Sequence, residues 1–202
     1  MGRPQDTARR AELLAGATDY VLEHGLGELS LRPLAEELGT SARMLVHHFG
    51  SKDRLIADTL AEARQRQLAL LGEFLSASPD SPPEAILDVM WGFMSSPEAE
   101  PFMRLFFEVY GLALWDPDRF PDFLERAVMD WIDAIRDLLR ASGQSEKDAR
   151  AGATEGLAVL RGLLLDLLAT GDRDRIDIAY QNASASLLSR AEKSRARRPK
   201  AE

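Results

Sequence analysis

Cationic and hydroxyl side chains gather in one short segment, residues 39–54. Arg43, Lys52 and Arg54 stand there against a single acid, Asp53, and two adjacent histidines lie between them. Arginine can hydrogen-bond both acceptors on the major-groove edge of guanine, and lysine, serine and threonine bind phosphate oxygens. The segment therefore has the chemistry to bind nucleic acid, although a window this short can depart from the average charge by chance.

Two short helices joined at a glycine are the elements that would position these side chains. Ser30 is the predicted N-cap of a helix that ends at Gly39, and Ser41 or Thr40 is the predicted N-cap of the next, in which Leu45 faces inward. This order is typical of a helix-turn-helix. The same caps and turn glycine occur in any short helical hairpin, so a purely structural role stays open on the pattern alone.

The rest of the chain also has apolar residues at helical spacing, and no stretch alternates with a period of two. The sequence predicts an all-α protein of about nine helices, with an N-terminal three-helix helix-turn-helix domain and a larger C-terminal helical domain. After the first three helices, the predicted helices cover residues 52–76, 83–94, 98–114, 121–141, 147–170 and 174–190.

The charge of the whole chain hides the local excess of cations. The net charge is −8, from 25 basic and 33 acidic residues, which taken alone argues against a nucleic-acid partner. Residues 1–54 carry 7 basic and 8 acidic residues, residues 55–189 carry 12 and 23, and residues 190–202 carry 6 and 2. The acidity belongs to the C-terminal body, which would confine DNA contact to the N-terminal end.

The residue types exclude several kinds of site. The chain has no cysteine and only three histidines, and the adjacent pair diverges on a helix, which argues against a shared metal ion. No glycine-rich phosphate loop follows a strand. We therefore expect no enzyme, no catalytic residue, no metal site and no cofactor. The most apolar stretch, residues 157–169, is interrupted by Arg161 and Asp166, so we expect no membrane partner and a cytoplasmic protein.

Residues 25–56 resemble the N-terminal signature of the TetR family of transcriptional regulators. They combine Leu-Ala, Gly-x-Ser, Leu-x-x-x-Phe and Ser-Lys-x-x-Leu at fixed offsets, and they depart at Val46, where the family commonly has a tyrosine that contacts phosphate. The resemblance covers about a quarter of the chain. It implies a helix-turn-helix domain in residues 1–53 and an effector-binding and dimerisation domain in residues 54–202, of which residues 193–202 are predicted to form a disordered tail.

The resemblance also implies roles for single residues. Residues 41–48 would be the recognition helix, with Arg43 as the candidate for direct base readout and Lys52 as a phosphate contact. Arg9 and Arg10 could add contacts from the N-terminal arm. The predicted DNA-binding residues are Ser30, Arg32, Thr40, Ser41, Ala42, Arg43, Met44, His47, His48 and Lys52.

Ten of the 14 aromatic residues lie between Trp91 and Trp131. Bulky side chains simply fill gaps between proline-interrupted helices in many proteins, and on the residues alone this interpretation comes first. The resemblance instead favours a pocket for a small, mostly apolar effector. The predicted pocket residues are Trp91, Met94, Met103, Phe106, Phe107, Tyr110 and Trp131.

Small residues one turn apart on the last two predicted helices allow close approach of a neighbouring helix. Burial in the monomer core would explain them equally well, whereas the resemblance implies a homodimer with a four-helix interface. The predicted interface residues are Gly156, Leu160, Leu163, Leu167, Tyr180, Ala183 and Leu187.

Together these observations predict a ligand-responsive transcriptional regulator. In its simplest form it is a repressor that binds a palindromic operator in double-stranded DNA as a homodimer and is released by a small molecule. The alternative is a helical protein-binding adaptor without specific DNA recognition, which would leave Arg43 and Lys52 without a role.

Overall fold

The structure is a computed structural model that describes residues 4–27, 29–76, 86–120, 123, 126–141 and 143–196. Over these residues the regular secondary structure is entirely helical, which confirms the all-α prediction, and no helix among them is long and apolar enough to cross a membrane. The nine α-helices are α1 (Pro4–His24), α2 (Leu31–Glu37), α3 (Ala42–Phe49), α4 (Lys52–Ser76), α5 (Ile86–Met94), α6 (Glu100–Trp115), α7 (Trp131–Ala141), α8 (Glu146–Thr170) and α9 (Arg173–Ala196).

The N-terminal helices begin and end where the sequence places their caps. α1 ends at His24 because Gly25 adopts a left-handed φ of 77° while its amide still donates to the Val21 carbonyl at 2.9 Å. α3 begins after Ser41, whose hydroxyl accepts a hydrogen bond from the Met44 amide at 3.3 Å. Serine hydroxyls satisfy amides that have no partner in the first turn of a helix, so these caps fix where the short helices start.

The later helices differ from the prediction at two places. The single helix predicted over residues 121–141 is wrong, because a π-helical turn, Arg126–Asp130, precedes α7 and changes which side chains share a face. The last helix continues to Ala196, so residues 193–196 of the predicted disordered tail are helical. Residues 83–85 of the predicted fifth helix and residues 197–202 of the tail lie outside the described residues.

The chain divides into two compact units, of which the first contains α1–α4 and α6. Within it, α1 packs against α4 and α6, and α2 packs against α3. The core residues contributed by these helices are Leu13, Ala17, Val21, Leu34, Ala35, Leu45, Phe49, Leu55, Ile56 and Val109. The compact unit that holds the helix-turn-helix thus extends beyond it, and the domain boundary at residue 53 stays a prediction.

The second unit contains α5, α7, α8 and α9. α8 packs between α7 and α9, with a core cluster of Ile132, Ile135, Ala153 and Leu157. α5 is fastened to α9 by a parallel stack of Trp91 on Tyr180, with ring centroids 4.7 Å apart. At the turn between α8 and α9, Arg175 binds Asp166 through two hydrogen bonds of 2.8 Å. This bidentate pair lowers the pKa of the Asp166 carboxyl group.

Candidate nucleic-acid interface

α3 has one buried and one open face. Leu45 and Phe49, with 1% and 4% of their surface exposed, pack into the core of the first unit. The remaining face carries Arg43, Met44 and His47, all exposed, and Met44 retains 40% of its surface. A short helix with a buried apolar stripe and an open cationic and apolar face has the form that enters a major groove.

The turn before α3 sets the helix beside α2. The Thr40 amide donates to the Ala35 carbonyl at 2.8 Å, and Gly39 turns the chain with a φ of 59°. Thr40 and Ala42 are half-buried at the start of α3, and Ser41 is exposed. The predicted helix-turn-helix geometry is therefore present, with the first turn of α3 at the surface of the unit.

The two predicted serine caps behave differently. Ser41 caps α3 as predicted, and its hydroxyl proton stays available to donate. Ser30 occupies the N-cap position of α2 in an extended conformation, but its side chain makes no capping hydrogen bond. The prediction that Ser30 is the N-cap residue is confirmed, and its exposed hydroxyl group takes no part in a capping bond.

The basic residues of this unit divide into neutralised and unneutralised groups. Arg32 pairs with Glu36 at 3.2 Å, and Arg54 lies 3.5 Å from the Asp58 carboxylate. Arg43 and Lys52 are exposed and have no ion pair among the described residues. An unpaired cation can bind a phosphate or a base without first breaking an internal salt bridge, so these two are the cations best prepared for DNA.

His48 does not belong to the open face. Its side chain is only 6% exposed, and its Nδ1 lies 3.3 Å from an Asp6 carboxylate oxygen on α1. The prediction that His48 contacts DNA is therefore wrong, because the ring packs back towards α1. Its neighbour His47 is exposed, as expected for adjacent residues on a helix.

Arg10 on α1 links this helix to α3 and α4. Its guanidinium group donates to Asp58 on α4 at 2.5 Å and to the His48 carbonyl at 3.3 Å, and it lies 4.8 Å from the centre of the Phe49 ring. The expected DNA contact from Arg10 is thus replaced by a junction of α1, α3 and α4. Arg9 is paired with Glu12 at 3.0 Å. Sequence reasoning missed this junction, because its members are 38 and 48 residues apart.

A second ion pair holds α4 along α1. Arg66 donates to the Asp19 carboxylate at 2.5 Å and to Glu62 at 3.0 Å. Burial lowers the pKa of the Arg66 guanidinium, but its hydrogen bonds to the two carboxylates outweigh burial and raise it overall. The long helix that follows the recognition helix is therefore fixed at a point well beyond Lys52.

The predicted pocket residues fall into both units. In the first, Met103 is buried, and the ring of Phe106 lies 5.2 Å from that of Phe107 and 5.8 Å from that of Tyr110. In the second unit, Trp91 and Met94 are buried, and Trp131 packs against the core cluster between α7 and α8. The role of these residues as one effector pocket stays a prediction.

The predicted dimer residues lie together on α8 and α9. A small apolar groove between the two helices is lined by Gly156, Leu160, Tyr180, Ala183 and Leu187, and Leu163 and Leu167 are half-buried. Tyr180 already serves the single chain: its hydroxyl donates to Asp88 at 2.8 Å, and burial followed by this hydrogen bond raises its pKa. Part of the predicted interface thus belongs to the monomer core, and the homodimer stays a prediction.

Comparison with known proteins agrees with this arrangement. Residues 13–59 match the family model for bacterial regulatory proteins of the tetR family. The HTH-type transcriptional repressor AcnR of Corynebacterium glutamicum is 32% identical over 111 residues, a match that covers 55% of this chain and about half, 54%, of that protein. AcnR of Corynebacterium diphtheriae is 25% identical over 175 residues, 84% of this chain and 86% of the relative.

The fold also resembles that of solved TetR-family structures. The solved TetR-family transcriptional regulator from Cytophaga hutchinsonii superposes with a TM-score of 0.77 at 14% identity, covering 94% of this chain and 98% of that one. The matched relatives are transcriptional regulators, which confirms the prediction that this chain is not an enzyme. Residues 13–59 thus match the TetR family of bacterial transcriptional regulators, and the fold of the chain resembles that of a solved TetR-family regulator.

Proposed function

We propose that this chain is a repressor that binds a palindromic operator in double-stranded DNA as a homodimer. The observation that carries the proposal is the open face of α3, where an unpaired Arg43 stands beside Met44 on a helix anchored by two buried side chains. The similarity to two AcnR repressors supports the same function.

In this proposal α3 lies in the major groove with its N-terminal half towards the bases. Arg43 reads a guanine through two hydrogen bonds, and Met44 contacts a thymine methyl group. Lys52, at the start of α4, binds a phosphate beside that groove, and the hydroxyl groups of Thr40 and Ser41 donate to phosphates near the start of α3. Val46 retains 41% of its surface but brings only apolar contact, so a phosphate bond that the family commonly makes is absent here.

The charge distribution supports a narrow zone of contact. Residues 55–189 carry 23 acidic and 12 basic residues and are repelled by DNA, while the cations at Arg43 and Lys52 are attracted to it. Non-specific binding is held down by the first effect, and the recognition helix is favoured by the second.

We also propose that a small, mostly apolar molecule releases the operator. The aromatic and methionine residues predicted for the effector pocket are the proposed binding residues, and α4, which runs on from the recognition helix, is the proposed transmitting element. A ligand that prefers the DNA-free arrangement about 100-fold would shift the equilibrium by about 2.7 kcal/mol.

Selection from a random pool of duplex DNA tests the proposed function. The full-length protein is bound to the pool at moderate salt, and the retained DNA is amplified and sequenced. We expect an inverted repeat whose half-sites lie about one helical turn apart. Retention without any enriched sequence would contradict specific recognition, and no retention at all would favour the protein-binding adaptor.

A further inference from the structure

A carboxylate on α6 holds the loop that connects α1 to α2. Both oxygens of Glu108 accept hydrogen bonds from the Leu26 amide at 2.9 Å, and Oε1 also accepts from the Gly27 amide at 2.6 Å. All of these residues belong to the first compact unit. An anionic acceptor shared by two consecutive amides makes a charge-assisted clamp, stronger than neutral hydrogen bonds between the same atoms.

The loop needs an acceptor at this point. α1 ends with the bond from the Gly25 amide to Val21, so the next two amides point away from the helix and find no carbonyl of α1. Leu26 is buried, and its amide would otherwise lose the hydrogen bond that water supplied in the unfolded chain.

The backbone at Gly25 is shaped for this close approach. Gly25 has a φ of 77°, and a Cβ atom built on it would lie 2.7 Å from Glu108 Oε2. Glycine therefore serves two purposes here: it ends α1 and leaves space for the carboxylate. Gly171, which ends α8 with a φ of 68°, has nothing within 4 Å of the same position.

The clamp lies a few residues from the recognition elements. Leu29, at the end of the loop, is buried and donates its amide to the Leu26 carbonyl at 3.0 Å, and α2 begins two residues later. α2 in turn packs against α3. The position of α2 and α3 on the unit thus depends on a loop whose amides are held from α6.

We infer that Glu108 is a positioning residue for DNA recognition: its carboxylate on α6 holds the α1–α2 loop and thereby sets the orientation of α2 and α3. The inference rests on the proposed DNA-binding function. It adds that α6, which also carries the proposed effector residues Phe106, Phe107 and Tyr110, is joined directly to the helix-turn-helix by hydrogen bonds. The Glu108 side chain can pass a movement of α6 to the loop.

The test replaces Glu108 by glutamine in the full-length protein and measures affinity for the selected operator. The change keeps the shape of the side chain but removes one acceptor oxygen and the negative charge. We expect operator binding to weaken by at least about fivefold, because the α1–α2 loop loses a charge-assisted acceptor. Removal of a negative charge by itself would tighten binding to DNA, so the sign of the effect separates positioning from simple electrostatics.

Glu100→Gln is the matched control. Glu100 lies on the same helix, two turns earlier, and is paired with Arg104 at 2.7 Å on the surface. The charge change is identical, and among the described residues this carboxylate makes no hydrogen bond to the α1–α2 loop. We expect the control to bind the operator as tightly as the wild type or slightly more tightly. Equal behaviour of Glu108→Gln and Glu100→Gln would overturn the inference and leave the proposed function intact.

Amide hydrogen exchange on the free protein gives a reading that does not require DNA. We expect Glu108→Gln to speed exchange at Leu26 and Gly27 and also in α3, with no change in α3 for the control. Faster exchange confined to the loop would overturn the inference, because the clamp would then be local. If the wild type binds no DNA, the proposed function fails, and hydrogen exchange alone then decides whether Glu108 couples α6 to α3. If Glu108→Gln does not fold, Glu108→Asp takes its place in both assays.

Discussion

Lys52 offers the sharpest electrostatic test of the proposed DNA contact. It is exposed, without an ion pair among the described residues, and stands at the first position of α4 directly after the recognition helix and its turn. Lys52→Gln removes this cation and leaves the fold unchanged, because the side chain contributes nothing to the core. If Lys52 binds a phosphate, the variant releases one fewer counterion per half-site on binding.

The expected size follows from the geometry of the proposed dimer. Two copies of Lys52 contribute about 1.8 to the slope of log K against log salt, at about 0.9 for each phosphate contact. Raising the salt about fourfold, from about 50 mM to about 200 mM, therefore costs the wild type about 12-fold more affinity than the variant. The advantage of the wild type over Lys52→Gln should shrink by that factor.

Fluorescence anisotropy on the selected operator, measured at several salt concentrations, gives both slopes. Arg54→Gln is the matched control, since it removes the same charge two residues later from a side chain that already lies 3.5 Å from the Asp58 carboxylate. We expect a smaller change of slope for this control. Parallel salt dependences for the wild type and Lys52→Gln would refute the assignment of Lys52 to a phosphate.

Three further predictions concern single contacts within the two units. Gly25→Ala should lower the melting temperature more than Gly171→Ala does. Both substitutions strain a left-handed backbone, but only the first places a Cβ atom against the Glu108 carboxylate. An equal fall in melting temperature for the two variants would contradict that close contact. Burial and the hydrogen bond to Asp88 raise the pKa of the Tyr180 phenol above 10, so the neutral phenol stabilises the fold below that pH, and this contribution is lost as the pH rises through the folded-state pKa. In an alkaline absorbance titration, Tyr180→Phe should remove the phenol that ionises last. A titration curve unchanged by the substitution would contradict this. The hydrogen bonds from Arg175 lower the pKa of the Asp166 carboxyl group below 3.8, so the pair stabilises the fold above that pH, and this contribution is lost as the pH falls through the folded-state pKa. The melting temperature of Asp166→Asn should therefore lie below that of the wild type at pH 7 and approach it in acid. A difference in melting temperature that stays constant from pH 7 to pH 3 would show that the ion pair does not cause it.

The features that sequence could predict are those encoded by neighbouring residues. Gly25 and Ser41 act within one or two turns of their own position, so the end of α1 and the start of α3 follow from local chemistry. The apolar spacing of Leu45 and Phe49 likewise predicts which face of α3 is buried. The open face with Arg43 follows from the same periodicity.

The features that sequence could not predict depend on partners far apart in the chain. His48 looked available for DNA because nothing near it in sequence competes for it, yet Asp6 lies beside it in the fold. Arg10 is taken by Asp58, 48 residues away, and Glu108 reaches amides more than 80 residues earlier. The π-helical turn before α7 was missed for a similar reason, since a helical pattern does not reveal one inserted residue.

The base preference of the selected operator, determined for the wild type, Arg43→Ala and Lys52→Gln, tests the central claim that α3 reads DNA through Arg43. The account predicts that Arg43→Ala loses about 1–3 kcal/mol on the preferred site and relaxes the preference at one base position in each half-site. Lys52→Gln should weaken binding to all sequences alike and leave every preference unchanged. An Arg43→Ala protein with the affinity and base preference of the wild type would contradict the account.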